Sequence, residues 1–272
     1  MRRVLLLAIV TFLGGCSAPI APRHLLPAEE VEKIAMAEAP ALPVWTLPEK
    51  ERLVYSVKWL GIPAGEIVTE ISGLTEVRGR KAYMIDVTAR TVGFCSMLYK
   101  IEDRYRSYLD AEKLHVLRNE IHRREGGYKK DSMTDFDQDL HKAHFKSATD
   151  GSEKVFDVPP DVQDTFTASY FLRTVALRKG QVVKIPISNS EKNYDVYVSI
   201  PQEETLSIPG YGREEVFYIQ PFARLNNDEV REGRMTGFVS VENGHLPYFV
   251  VIKAPVFTSV TAMLSVDNKH ER

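Results

Sequence analysis

The side chains that could do chemistry are few, and their spacing brings few of them together. The seven histidines are His24, His115, His122, His141, His144, His245 and His270. His141 and His144 are three apart, which on a strand points them to opposite faces. Phe145 and the polar turn Asp137-Gln138-Asp139 favour a strand there, so no histidine metal site is expected. Asp135, Asp137 and Asp139 alternate like the start of a calcium loop. Leu140, however, stands where that loop needs a glycine, and Lys146 where it needs a bidentate acid. The sequence holds no Gly-x-Ser-x-Gly, Ser-x-x-Lys, Cys-x-x-Cys, Walker or dinucleotide pattern, so it assigns no catalytic residue, metal or cofactor. Cys95 lies in the apolar stretch Gly93–Tyr99 and is expected to be a buried, inert thiol.

Charges inside apolar patterning are more informative. Asp103 follows Tyr99-Lys100-Ile101-Glu102, and Asp164 precedes the aromatic segment that holds Tyr170 and Arg173. A charge near a core needs a partner. Asp103, Asp164, Tyr170 and Arg173 therefore form a candidate polar cluster, either structural, locking a helix onto a sheet, or functional. The plainer alternative places the charges on the wet side of that helix.

Cys16 is the residue with the most definite chemistry. Arg2 and Arg3 precede an apolar run from Val4 to Leu13 that is too short to span a bilayer, which needs about 20 such residues. A basic start, a short apolar core and small residues describe a signal peptide. Leu13-Gly14-Gly15-Cys16 resembles a bacterial lipobox, which implies cleavage before Cys16 and acylation of its sulfur and new N-terminus. Several acyl chains, at about 0.8 kcal/mol per buried CH₂, make a stable anchor. Ser17 rather than Asp after the cysteine favours the outer membrane. With Cys16 acylated, Cys95 is left alone and no internal disulfide can form.

The elements that must position these groups are mostly strands. Residues 1–15 are read as the signal peptide and 16–47 as a Pro- and Ala-rich tether with a marginal helix from Ala28 to Ala39. The remainder, 48–272, is read as one β domain. Period-two alternation sets in at Leu53, Tyr55 and Val57 and returns at Tyr83, Ile85 and Val87, at Asp103–Leu109, Leu114–His122, Tyr128–Phe136 and Leu140–Phe145. After Gly180 come Val182–Ile187, Tyr194–Ile200, Glu204–Ile208, Glu215–Ile219, Met235–Val241, Pro247–Ile252 and Val256–Val266. One segment, Asp164–Leu177, has helical spacing, with Asp164 or Thr165 near its N-cap. A dozen strands and one main helix near 164–177 predict a mainly β fold, an antiparallel curled sheet as barrel, half-barrel or sandwich.

The ordered set Leu53–Gly65, Ala89-Arg90-Thr91, Leu98–Asp103, Arg124–Tyr128, Phe136-Asp137 and Asp164–Arg173, closed by Leu246-Pro247, resembles the bacterial family catalogued as domain of unknown function 3108. The resemblance implies a secreted or lipid-anchored envelope protein of β architecture and transfers no catalytic residue.

The net charge of -2 offers no basic field for nucleic acid. The sequence thus leads to an outer-membrane lipoprotein facing the periplasm, held by Cys16, whose curled sheet binds an apolar or glycan envelope component. A cavity in it would be lined by Tyr55, Val57, Ile85, Val87 and Tyr105. The alternatives are an enzyme acting on envelope glycans or lipids through Asp103, Arg104 and Arg106, and an interaction module using a sheet edge.

Overall fold

The computed structural model describes residues 27–37, 43–226, 228–230, 235–242, 244–254 and 258–265. The signal peptide and Cys16 lie outside the described residues. The chain forms helix α1 (Ala28–Ala37), then strands β1 (Glu51–Trp59), β2 (Ile62–Val77) and β3 (Arg80–Thr91). Helix α2 (Gly93–Leu98) leads into β4 (Glu102–Asp110), β5 (Val116–Glu125), β6 (Tyr128–Asp137), β7 (Lys142–Ser147) and β8 (Glu153–Asp157). Helix α3 (Thr165–Thr174) precedes β9 (Val182–Asn189), β10 (Lys192–Ile208), β11 (Gly212–Leu225), β12 (Asp228–Val230), β13 (Met235–Ser240), β14 (Pro247–Ala254) and β15 (Thr258–Leu264).

All strands join one antiparallel sheet, ordered β8-β7-β6-β5-β4-β3-β2-β1-β15-β14-β13-β11-β10-β9, with β12 paired to β11. Sequence neighbours pair through the first eight strands, and β1 then pairs with β15, so the first and last strands meet in mid-sheet. The edge strands β8 and β9 do not pair, so the sheet curls without closing into a barrel. The chain after β8 bridges part of the gap: Gln163 N donates to Pro186 O at 2.9 Å and accepts, through its carbonyl, from Ser188 N at 2.8 Å. Since neighbouring strands run in opposite directions, one rim collects the β1–β2, β3–β4, β5–β6, β7–β8 and β9–β10 connections. We call this the upper rim.

Where the sequence suggests two strands, Tyr194–Ile200 and Glu204–Ile208, the structure has one. The register of β10 against β11 shifts between Ser199 and Gln202, around Pro201. Proline cannot donate to a ladder, so a bulge bends the strand there without ending it. Helix α3 starts as expected. The Asp164 carboxylate accepts from the amides of Phe166 (2.9 Å) and Thr167 (2.8 Å), and Thr167 Oγ1 accepts from Asp164 N (2.9 Å), a reciprocal cap. The helix ends three residues early. The Thr174 carbonyl is taken by the amides of Val44 (2.7 Å) and Trp45 (2.9 Å) instead of by a further turn.

α3 lies inside the curl. Its Ala168 and Leu172 pack with Val183, Ile185, Val198, Ile200 and Phe217. Its Tyr170 packs with Ile71, Tyr83, Ile85 and Leu109. A third cluster joins Leu53 and Tyr55 to Val216, Tyr218, Phe238, Tyr248 and Leu264. β11 thus buries both of its faces.

The short helix expected from Ala28 to Ala39 is present as α1, and it docks on the sheet: Val31 is fully buried against Val182 and Tyr197, and Glu32 pairs with Arg224. One expectation changes. Cys95 is not buried in a core. It lies on α2, which buries none of its residues, because a single short helix between two strands has no second layer to pack on.

Candidate functional site

A cavity of about 330 Å³ lies inside the first half of the curl, between β4–β8, the start of α3 and the β9–β10 turn. Alternation decides its lining. In β4 the inward residues are Tyr105 and Ser107, in β5 Asn119, Ile121 and Arg123, and in β6 Lys130, Ser132, Thr134 and Phe136. Phe145, Phe156 and Phe166 complete an aromatic wall, and Asp164 and Ser188 border it from α3 and β9. β6 turns the polar Lys130, Ser132 and Thr134 toward the cavity, while its Phe136 also packs in a buried cluster with Val116, Ala143, Val158 and Val162.

Charge in this half is largely neutralised. Asp103 is buried; its Oδ1 accepts from Arg124 N at 2.7 Å and its Oδ2 from the Tyr105 hydroxyl at 3.1 Å. Arg123 Nε is 3.8 Å from Asp103 and donates to Glu125 Oε1 at 2.8 Å, and the guanidinium lies 5.3 Å from the Tyr128 ring centroid. Burial, and then the Asp103 charge, push the Tyr105 hydroxyl well up, so it stays a donor. Asp164 accepts from Ser107 Oγ at 2.5 Å and from its own helix, and burial still pushes its carboxyl up. Lys130 differs. Its Nζ sits 5.4 Å from the Phe145 centroid, and among the described residues no carboxylate lies within ion-pair distance of it. Asn119 Oδ1, on the same wall, is buried with no hydrogen-bond partner among the described residues.

The sequence-derived cluster divides. Asp164 borders the cavity, and Asp103 holds Tyr105 and Arg123, which line it. Tyr170 and Arg173 lie at the other end of α3. There the guanidinium grips Glu51 at 2.5 and 2.8 Å, donates to Gly244 O at 3.2 Å and stacks 5.3 Å from Tyr170. A second cleft of about 320 Å³ opens beside this pair, bounded by Trp45, Leu47 and Leu246. Its guanidinium already has a partner for each nitrogen, so it offers no free charge there. Of the cavity residues expected from alternation, Tyr105 lines it. Tyr55, Ile85 and Val87 are packed in solid core, and Val57 packs against it, since α3 and the C-terminal strands fill that side. Arg104 and Arg106 do not converge with Asp103. They face the other side of β4, where both bind Asp86.

Sequence reasoning missed Arg123, Lys130, Ser107 and Glu51. The available signal was the run Lys130-Asp131-Ser132-Met133-Thr134, a strand without a dry face. His115 and His122 are held by Asp161 (3.2 Å) and Asp131 (2.8 Å). Among the described residues no group of three His, Cys, Asp or Glu side chains could hold a metal ion. Asp137 accepts from the amides of Asp139 (3.1 Å) and Leu140 (2.9 Å), so the acidic run caps a turn.

Fold and cavity together define an open, barrel-like β protein plugged by one helix and hollow in one half. The chain belongs to the family described as Protein of unknown function (DUF3108), whose sequence model matches residues 54–265. The same architecture occurs in the crystal structure of a beta-barrel-like protein of domain of unknown function DUF1849 from Brucella abortus. That likeness has a TM-score of 0.53 at 8% identity and covers 79% of this chain and 95% of that one. A DUF1089 family protein from Pseudomonas aeruginosa matches with a TM-score of 0.34 at 12% identity, covering 81% of this chain and 97% of that one. No curated protein matches this chain.

Proposed function

We propose that the hollow half of the sheet binds a small amphipathic anion, and that the protein is a non-enzymatic carrier or receptor for it in the bacterial envelope. The observation that carries this reading is Lys130, which among the described residues has no carboxylate within ion-pair distance and is held against the aromatic wall of the cavity. A buried or half-buried cation in that state favours a negatively charged head group. Phe136, Phe145, Phe156 and Phe166 would take an apolar body, and the hydroxyls of Ser132 and Thr134 its polar edge. The volume of about 330 Å³ is near the lower bound of ligand pockets, which suits one acyl chain or ring system rather than a whole diacyl lipid. The lipobox-like Leu13-Gly14-Gly15-Cys16 supports an outer-membrane anchor with the body facing the periplasm.

Uptake of a fluorescent long-chain carboxylate, compared with its methyl ester, tests the reading. Lys130→Met is expected to weaken carboxylate binding about tenfold, the scale of one charge-assisted contact, and to leave the ester unchanged. Thr134→Trp, which fills the cavity, is expected to abolish both. Absence of uptake by the wild type, or equal carboxylate binding by Lys130→Met, would overturn it. Palmitate labelling of wild type against Cys16→Ser tests the anchor.

A further inference from the structure

At the upper rim the molecule presents apolar side chains that no other described residue covers. Met97 is 84% exposed and Phe94 66%, and Leu98 and Tyr99 are about half exposed. The β1–β2 turn stands beside them with Leu60, 57% exposed, and Ile62, and Val92 N donates to Ala64 O at 3.0 Å to hold α2 against β2. Tyr99 reaches the β5–β6 turn, its hydroxyl donating to Glu125 O at 3.2 Å, and Tyr128 is exposed there. Leu60 has φ 49°, a region in which a side chain is strained and which a turn of this kind normally gives to Asn or Gly. Exposed apolar residues are normal when scattered and mark a contact surface when clustered.

We propose that this rim is a membrane-docking surface, with α2 and the β1–β2 turn inserted at the headgroup boundary of an anionic bilayer. Three observations select a bilayer over a protein. The apolar groups are tips at strand ends, which a fluid interface accepts without a matching groove. Tyr99 and Tyr128 flank them, as amphipathic rings do at headgroup depth. Lys58 and Lys129 stand exposed at the same rim, and among the described residues neither has an acidic partner, which complements anionic lipid. The chain also permits the approach. Pro27, where the described body begins, is eleven residues after Cys16, a span of at most about 40 Å. Arg123 and Lys130 pair in register next to the β5–β6 turn, so docking would bring the charged end of the cavity to the lipid surface.

The test uses the full chain reconstituted into phosphatidylethanolamine–phosphatidylglycerol vesicles, with Cys95→Ser and a polarity-sensitive probe on Met97→Cys. A control places the same probe on Leu140→Cys, an exposed site at the opposite rim. The Met97 probe is expected to shift to the blue and to be quenched by lipid-borne nitroxide, while the Leu140 probe answers only to aqueous iodide. Phe94→Asp is expected to cut the lipid quenching about tenfold, and α2 has no buried residue whose loss would unfold the body. Equal iodide access at both sites would overturn the proposal. So would a Met97 probe shielded from iodide yet untouched by lipid nitroxide, which would mean a protein partner. Carboxylate uptake by Lys130→Met is read separately, so failure of the cavity reading leaves this result standing.

Discussion

The two halves of the sheet use one alternating pattern to opposite ends. Strands β9–β15 with β1 put Val183, Ile185, Val198, Ile200, Phe217 and Tyr248 inside, and α3 meets them with Ala168 and Leu172. Strands β4–β8 put Ser107, Asn119, Arg123, Lys130, Ser132 and Thr134 inside, and the helix meets them with its capped N-terminus. One half is therefore filled by apolar side chains, and the other surrounds a cavity beside a smaller buried cluster of Val116, Phe136, Ala143, Val158 and Val162. α3 is fastened to both: Asp164 to Ser107 of β4, and Arg173 to Glu51 of β1. A single plug, locked at each end by a polar contact, lets the solid half hold open the hollow one.

The strongest way to break this comparison is to release the plug from the solid half. Arg173→Met leaves the Glu51 carboxylate buried and unpaired and is expected to cost about 3–5 kcal/mol in urea unfolding. Adding Glu51→Gln should recover much of the loss, since no charge then remains unpaired. Matched truncations come next. Ile200→Ala, in the solid half, is expected to cost about 2–5 kcal/mol. Ile121→Ala, on the cavity wall, is expected to cost under about 1 kcal/mol, because the space beside it is already empty. Equal losses would show the hollow half to be packed. Ser107→Ala, which removes the other lock, should cost about 1–3 kcal/mol by leaving one Asp164 oxygen without a donor.

The smallest effect is in pH. His245, packed by Phe217 in the solid half, is pushed down by burial. The folded chain then binds fewer protons than the unfolded one, so this group's stability is full above its ordinary value of about 6.5 and is lost as pH falls through the folded value. Asp164 has the opposite sign. Burial pushes it up, so its share is full at acid pH and is lost as pH rises through its folded value. His245→Gln should flatten the fall in stability on the acid side of a stability–pH curve, and Asp164→Asn should remove the part of the stability that is gained as pH falls through the Asp164 folded value.

Much of this architecture was legible because it is local. Tyr83-Ile85-Val87 alternates over a few residues, and Asp164 with Thr167 caps a helix within one turn. The candidate site was legible in half. Asp164 and Asp103 were found as charges in apolar surroundings, but Arg123 and Lys130 look like ordinary solvated residues until β6 is known to curl over an interior. The exposed α2 was misread for the same reason. Gly93-Phe94-Cys95-Ser96-Met97-Leu98 has a core composition, and nothing in the string says that none of the other described elements comes to cover it.

The sequence by itself determined the β class, most of the strands, the start of α3 and the family, because alternation and capping act between near neighbours. Tertiary structure alone decided that β1 lies beside β15, that Glu51 answers Arg173 from 122 positions away, and that one half of the curl is filled and the other is not. Those outcomes depend on which faces meet across the fold. Facing is set by the curl of the whole sheet around α3, which no window of the chain contains.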